Sequence, residues 1–172
     1  MTEESTHVRC LKDTIGTLQN LVALTTPEKL LWKPASDRWS ICEVLNHLTD
    51  VEKLAVGLRA KRILDEDIPL FVDYDREARY RAGAYGNDDG ERALENFRKA
   101  RKTSLAWLEK IRPSDWKRRG IHHVVGEVEL SQILSLWAFH DLSHIRQVAE
   151  LVKALSFWDG IGSLQVYYSV QP

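Results

Sequence analysis

Two histidines one helical turn apart, His140 and His144, stand in a strongly apolar segment of the chain. A pair at positions i and i+4 of one helix can bring two imidazoles to the same metal ion. Both belong to a stripe whose members are three or four residues apart: Ile133, Trp137, His140, His144, Val148 and Leu151. Because a helix packed into a bundle turns such a stripe toward the core, both side chains are expected to face inward.

A third histidine, His47, occupies an equivalent position earlier in the chain. Its stripe has the same spacing and comprises Val44, His47, Val51, Leu54 and Leu58. Buried imidazoles need partners for both ring nitrogens, and one divalent cation can take a nitrogen from each of several rings. Two hypotheses remain open from these residues alone: a shared metal site, or three core histidines that are satisfied separately.

Four segments with helical periodicity must position these residues. They span about His7–Leu24, Ser40–Leu64, Asp89–Arg112 and Glu129–Leu155. The second has the clearest start, because Ser40 and Glu43 form a capping box, which explains Glu43 better than a catalytic role does. Four long helices without a strong strand pattern predict an all-α four-helix bundle, in a single domain over residues 1–172.

The connections between these helices are not simple linkers. Residues 65–88 are too long and too aromatic for a plain loop, and a short helix is expected around Arg76–Arg81. Residues 121–130 predict a small hairpin or an extended strap. We expect residues 65–88 and 117–125 to border the histidine site, and the tail Gln165–Pro172 to pack on the bundle.

Two segments carry a family resemblance. WSICEVLNHLTDVE (39–52) and GEVELSQILSLWAFHDLSHIRQV (126–148) resemble the DinB/YfiT-like superfamily of metal-binding four-helix bundles. The resemblance places that family's three-histidine metal site on His47, His140 and His144. It implies hydrolase-like chemistry on a small-molecule substrate, or transfer reactions that use a low-molecular-weight thiol.

Three neutral imidazoles leave a coordination position open for water or substrate, as in catalytic metal centres. Zinc is the default metal for three histidines, while ligand type alone also allows nickel, iron or manganese. Such a metal would lower the pKa of a bound water or thiol and polarise an electrophile. The alternative is a non-catalytic, metal-binding dimeric bundle that acts as a stress-linked interaction module, since no evident general base shares the histidine stripe.

Two polar residues are candidates for supporting the site. Asp50, three residues after His47, could accept that imidazole's second proton, or could lie on a solvated helix face. Gln147, three residues after His144, could line the pocket, or could make a contact at the rim of the bundle.

Other polar residues are expected outside the site. Asp141 is off the stripe and is predicted at the surface or between helices. The basic runs Lys99–Lys102 and Lys117–Arg119 are predicted to be solvated faces, with contact between Arg118 or Arg119 and an anionic substrate as the alternative. His122 and His123 alternate across a presumed strand and are not expected to be ligands.

Composition limits the classes of partner and compartment. The chain is 44% hydrophobic and 28% charged, with a formal net charge of −1, so no basic excess favours nucleic acid or an anionic membrane. No apolar run reaches the ~18 residues of a membrane span, and the first residues do not resemble a signal peptide. These features predict a cytoplasmic protein. The resemblance also implies a homodimer, with Leu21, Trp107 and Leu108 as candidate contact residues.

Overall fold

The computed structural model describes residues 5–86 and 89–168. Its α-helices are α1 (Thr6–Val22), α2 (Ile41–Leu54), α3 (Val56–Asp65), α4 (Arg76–Arg81), α5 (Gly90–Leu108) and α6 (Leu130–Ser156). Short 3₁₀ segments cover Pro27–Leu31, Pro113–Lys117 and Asp159–Tyr167, and two strands cover β1 (Arg119–His122) and β2 (Gly126–Glu129).

The long helices α1, α2, α5 and α6 form a bundle that α3 extends at one end. Helix α2 packs chiefly on α5, α1 packs on α6, and α2 also contacts α6. The apolar faces of these helices supply fully buried side chains such as Leu11, Leu45, Phe97 and Trp137. The predicted all-α four-helix bundle is therefore confirmed.

Helix α2 begins as the sequence predicts. The Ser40 backbone N–H donates to Oε2 of Glu43 over 2.8 Å, and the Glu43 N–H donates to the Ser40 hydroxyl over 3.2 Å. This reciprocal pair satisfies two backbone donors that would otherwise lack partners at the helix start. The cap fixes where the helix starts, and with it the position of His47 in its second turn.

The prediction of one helix from Ser40 to Leu64 is wrong. Ala55 has φ −124° and ψ −110°, which ends α2 and lets α3 start at Val56. Just after the break, a Cβ on Gly57 would lie 2.3 Å from the Glu52 carbonyl oxygen. The apolar periodicity continues through this break, which is why the pattern alone does not reveal it.

Both small elements between the long helices form where they are expected. Helix α4 covers the predicted short helix, and Asp75 caps it by accepting a hydrogen bond from the Ala78 N–H over 2.9 Å. Strands β1 and β2 pair antiparallel as the predicted hairpin. Segment 69–71 lies beside β1, since Phe71 donates to the Ile121 carbonyl over 2.9 Å.

The described part of the C-terminal tail does not pack closely on the bundle. Val166 and Tyr167 are 81% and 80% exposed, against the expectation for this tail. Its last residues, 169–172, lie outside the described residues. Within the described part of the chain, no helix has the length and apolar character to cross a membrane.

Candidate metal centre

The structure brings together the three histidines that the sequence singles out. Nε2 of His140 lies 3.1 Å from Nε2 of His47 and 3.2 Å from Nε2 of His144. His47 is buried, whereas His140 and His144 are partly exposed. No cysteine or carboxylate within 5–86 and 89–168 joins this group.

The positions of the three rings follow from two helices. His140 and His144 lie one turn apart on α6, and their ring centroids are 4.4 Å apart. His47 reaches them from α2 across the bundle, with its ring centroid 4.9 Å from that of His144. The spacing of each stripe therefore determines which face of its helix carries the histidines. The packing of α2 against α6 determines where the three rings meet.

The donor set fits a divalent metal ion. A tetrahedral ion with metal–nitrogen bonds of about 2.0–2.1 Å separates its ligand nitrogens by about 3.3 Å, and right-angle geometry by about 2.9 Å. The observed separations of 3.1 and 3.2 Å lie between these values. The three Nε2 atoms could hold one ion, and the distances do not select among zinc, nickel, iron and manganese.

The inner ring nitrogens favour one of the two hypotheses that the sequence leaves open. Nε2 of His140 lies 3.1 and 3.2 Å from Nε2 of the other two rings, so these nitrogens face one another. Core histidines that were satisfied separately would have partners elsewhere in the fold. The convergence therefore favours the shared metal site. Nδ1 of His47 and Nδ1 of His140 are buried and have no hydrogen-bond partner among the described residues.

Gln147 lies where a supporting residue is expected. Its side-chain oxygen is 2.9 Å from Nδ1 of His144, so it can accept the proton on that nitrogen. A proton held on Nδ1 leaves Nε2 of His144 with its lone pair directed at the other two rings.

Asp50 takes neither of the two places considered for it, beside His47 or on a solvated helix face. Its carboxylate accepts a hydrogen bond from Nε of Arg79 over 2.7 Å, in an ion pair with α4. A guanidinium is a stronger partner for a carboxylate than a neutral imidazole N–H. The sequence spacing of Asp50 and His47 could not show that a residue 29 positions away takes this carboxylate.

Burial lowers the pKa of all three histidines. The pKa of His47 falls to about 2 and that of His140 to about 4, first because of desolvation and then because of the neighbouring imidazoles. Desolvation also lowers the pKa of His144, although its hydrogen bond to Gln147 opposes the change. The three rings are therefore neutral near pH 7, which is the form that binds metals.

An aromatic wall surrounds the histidines, and Trp39 is the member of it that was not predicted from the sequence. Trp39 lies parallel to His144 at 6.3 Å between ring centroids and edge-on to His47 at 5.1 Å. Tyr74 and Tyr85 also contact His47, at 6.5 and 5.6 Å. A tryptophan directly before a helix cap was the available signal, but it is equally typical of a hydrophobic staple.

The loop 65–88 borders the site as expected, through the tyrosines of its described part. Tyr85 is anchored by Asn46, whose side-chain amide donates to the Tyr85 carbonyl over 2.7 Å. Tyr80 stacks on Trp39 at 5.7 Å. Residues 87 and 88 lie outside the described residues.

Segment 117–125 lies elsewhere, so its expected place beside the site is wrong. Arg118 donates to the Ile63 carbonyl over 2.7 Å, and the His122 ring meets Phe71 at 6.4 Å. His123 pairs with Asp73 at 3.0 Å. These contacts hold the segment at the end of α3, sixteen residues beyond His47 along the chain and away from the histidines.

A buried ionic cluster lies behind the histidines. Arg101 is fully buried, and it bonds Glu52 at 2.8 Å and Asp141 at 2.6 Å. Asp141 also accepts from the Thr14 hydroxyl at 2.7 Å, so it lies between helices, one of its two predicted places. The prediction that Lys99–Lys102 is entirely solvated is wrong at Arg101, because acidic side chains from two other helices accept its hydrogen bonds in the core.

The site opens to the surface on the His144 side. A groove of about 610 Å³ is lined there by His144, Gln147, Trp39, Arg38 and Arg146. Its volume is typical of small-molecule sites.

Two known proteins are similar to this chain in sequence. The chain is 27% identical over 139 residues to the uncharacterised protein YuaE of Bacillus subtilis, covering 74% of this chain and 86% of YuaE. It is 26% identical over 145 residues to an Oceanobacillus iheyensis protein named "Putative metal-dependent hydrolase", covering 84% of this chain and 79% of the relative.

A solved structure has the same fold. YfiT from Bacillus subtilis, described as "a probable metal-dependent hydrolase with an unusual four-helix bundle topology", superposes with a TM-score of 0.75 at 21% identity. The superposition covers 89% of this chain and 90% of YfiT. The family model of the DinB superfamily matches residues 11–148, which include all three histidines. The chain therefore belongs to the DinB superfamily.

Proposed function

We propose that this protein is a metal-dependent hydrolase of small molecules, with the metal held by Nε2 of His47, His140 and His144. The observation that carries the proposal is the convergence of three neutral imidazoles with no fourth protein ligand in the described part of the chain. A centre with three protein ligands keeps a position for water or substrate, whereas structural zinc sites are closed by four. The names of the Oceanobacillus relative and of YfiT support the same class of reaction.

The bound metal, zinc by preference of the donor set, would supply Lewis acidity and lower the pKa of a coordinated water. The surrounding residues keep the ligands in place. Gln147 holds the proton on Nδ1 of His144. Burial raises the pKa of Tyr74 and Tyr85, so both phenols stay protonated near pH 7. They line the site and donate hydrogen bonds, and they do not act as bases.

The charges around the opening favour an anionic substrate. Arg38 and Arg146 line the groove beside His144, together with Glu150. The Arg76 guanidinium lies 5.6 Å from the Trp39 ring centroid, and its charge contributes to the lowered pKa of each histidine. A carboxylate or phosphoryl group near the mouth would meet this positive surface while its reacting group points to the histidines.

Two reactions are compatible with this donor set, and one screen separates them. The zinc-loaded chain is assayed with 4-nitrophenyl acetate, with its carboxylate-bearing analogue mono-4-nitrophenyl succinate, and with cysteine plus 1-chloro-2,4-dinitrobenzene. Hydrolysis of the esters, with the succinate preferred, is the expected result. Turnover only in the arm that contains cysteine would replace hydrolysis with thiol transfer.

The matched variants are His140→Ala, which removes a proposed ligand, and His122→Ala, which removes a half-buried histidine outside the group. We expect His140→Ala to lose zinc and to hydrolyse no faster than a blank without protein. His122→Ala should keep both properties. Equal zinc content in wild type and His140→Ala, measured after dialysis, would contradict the proposed site. Zinc binding without turnover in any arm would favour the non-catalytic module.

A further inference from the structure

We propose that a second groove, between α3 and α4, binds a small amphipathic carboxylate, an apolar chain that carries one carboxylate group. This α3–α4 groove encloses about 590 Å³. Its walls include Leu54, Leu58, Arg59, Phe71, Tyr74 and Ala78. The volume lies within the range of about 300–1,000 Å³ that is usual for small ligands.

The walls of the α3–α4 groove are mainly apolar although they face solvent. Leu54 at the end of α2 and Leu58 on α3 are 43% and 41% exposed, and Val72 in the loop after α3 is 77% exposed. Phe71 lies beneath them and is buried. Clustered apolar side chains at the surface mark ligand or partner sites more often than single exposed ones do.

Most charges that line the groove already have partners. Arg62 donates from Nε to Glu66 over 2.7 Å, and Arg79 donates to Asp50 over the same distance. The two lining acids are also engaged. Asp73 pairs with His123 at 3.0 Å, and Asp75 caps α4.

Arg59 is the exception among these charges. Its Nε is buried and has no hydrogen-bond partner among the described residues. Its guanidinium carbon lies 5.7 Å from the centroid of the Phe71 ring. Burial lowers the pKa of Arg59, while the charge of nearby Asp73 opposes the change, and an arginine keeps its charge at neutral pH.

A buried guanidinium N–H without an acceptor is costly, so a ligand that supplies one binds favourably. A carboxylate is the natural partner because its two oxygens match the guanidinium fork. The exposed leucines next to Arg59 would cover an attached hydrocarbon chain. Together these contacts define the ligand class as an anion with an apolar tail.

The α3–α4 groove is separate from the candidate metal centre. The Tyr74 ring stands between them: it lines the groove, and its centroid is 6.5 Å from that of His47. Its hydroxyl is held by Tyr85 at 2.7 Å. Ligand binding in this groove therefore goes beyond the proposed hydrolase activity and does not require the metal.

The test uses sodium decanoate titrated into the full chain by calorimetry below its micelle-forming concentration. Decanol serves as the uncharged control and acetate as the control without a tail. We expect saturable binding of one decanoate per chain, with decanol at least about tenfold weaker because it lacks the charged hydrogen bond. Acetate should give no measurable saturation. Absence of saturable decanoate binding would overturn the proposal.

Matched variants locate the carboxylate. Arg59→Met keeps the aliphatic stem and should weaken decanoate binding about tenfold or more, while decanol binding stays the same. Arg62→Met, on the same groove but already paired with Glu66, should change it little. Leu58→Glu places a negative charge at an exposed wall position and should also weaken binding, so the test does not rely on a single variant. Decanoate binding that is unchanged in Arg59→Met would overturn the assignment.

Two further measurements fix the nature of the site. His140→Ala should bind decanoate as the wild type does, and loss of binding there would overturn its independence from the metal centre. Light scattering with and without decanoate should give the same mass. A fall in mass on binding would show that a second copy of the chain covers the groove, against the proposal.

Discussion

At the scale of single residues, one hydrogen bond sets how His144 can be used. Gln147 accepts from Nδ1 at 2.9 Å, and no comparable partner among the described residues holds Nδ1 of His47 or His140. A ring whose outer proton is fixed needs no change of tautomer before its other nitrogen binds a metal. His144 is therefore the best prepared of the three candidate ligands, and Gln147 prepares it.

Gln147→Leu should weaken metal binding by roughly 10–100-fold while leaving the helix intact. The reason is that His144 loses the acceptor that fixes its tautomer and ring orientation. Gln147→Glu keeps an acceptor at the same distance and should restore most of the affinity. Competition against a chromogenic chelator measures both, and equal affinities for Gln147→Leu and wild type would show that the contact does not prepare the ligand.

At the scale of elements, the break between α2 and α3 decides what surrounds the histidines. An unbroken helix would continue past Leu54 in one direction, but Ala55 ends it and Gly57 passes close to the Glu52 carbonyl. The far end of α3 instead contacts Arg118, the residue just before the hairpin. The aromatic part of loop 65–88 is then the segment that lies over His47.

Gly57→Ala should lower the free energy of unfolding by about 1–3 kcal/mol. The added Cβ would lie 2.3 Å from a backbone oxygen, which cannot rotate away as a flexible side chain can. Gly16→Ala is the matched control within α1, since its Cβ meets nothing within 4 Å. That change should raise stability by about 0.5–1 kcal/mol because alanine favours helix. Urea unfolding curves give both values, and equal effects would refute the proposed close approach.

At the scale of the whole molecule, Arg101 ties four helices together. From α5 it bonds Glu52 on α2, Asp141 on α6 and the Leu11 carbonyl on α1, at 2.8, 2.6 and 2.7 Å. Two of these helices carry the candidate ligands, and Asp141 directly follows His140. The cluster therefore fixes the relative position of α2 and α6 close to the histidines.

Glu52 gives the fold a testable pH dependence. Burial raises its pKa above the ordinary 4.5, although Arg101 opposes the change. A raised folded-state pKa gives stability that is complete below pH 4.5 and is lost as pH rises through the folded value. The stability of Glu52→Gln relative to wild type should therefore increase from pH 5 to pH 8, by at most about 1.4 kcal/mol per pH unit.

Urea unfolding of wild type and Glu52→Gln at both pH values measures this difference. Taking the difference cancels groups that titrate in both proteins, including the histidines. Glu109→Gln, at a position whose side chain is 53% exposed, is the control for the effect of a Glu-to-Gln change at the surface. If the stability of Glu52→Gln relative to wild type instead falls from pH 5 to pH 8, Arg101 lowers the pKa of Glu52 more than burial raises it.

One of the contact residues suggested for a homodimer needs correction. Leu108 is buried in the core, so it cannot form a contact between subunits. Leu21 and Trp107 are half-buried and pack against the core of their own chain. The dimer itself remains a prediction, and a more exposed surface is available for it.

An exposed apolar stripe on α6 supplies that surface. Leu136, Phe139 and Leu142 are 46%, 72% and 56% exposed on one side of the helix. An apolar stripe can pair with its own copy across a twofold axis, so we predict a C₂ homodimer through α6. Light scattering at micromolar concentrations should give twice the chain mass, and Phe139→Glu should halve it. Val166→Glu, at another exposed position, should not; a monomeric wild type would contradict the prediction.

The sequence by itself determined the bundle, the start of α2 and the faces on which His47, His140 and His144 lie. These features depend on local spacing: a capping box spans three residues, and a helical stripe repeats every three or four. Their proposed role as ligands agrees with the convergence of the rings and remains a prediction about binding.

Only the tertiary structure decided which polar residues meet across the bundle. Arg101 looks like part of a solvated basic run, and its burial depends on Glu52 and Asp141, which lie 49 and 40 positions away. Asp50 likewise pairs with Arg79 on α4 rather than with its near neighbour His47. The energy of a buried charge depends on the carboxylates that reach it in three dimensions, and spacing along one helix does not contain that information.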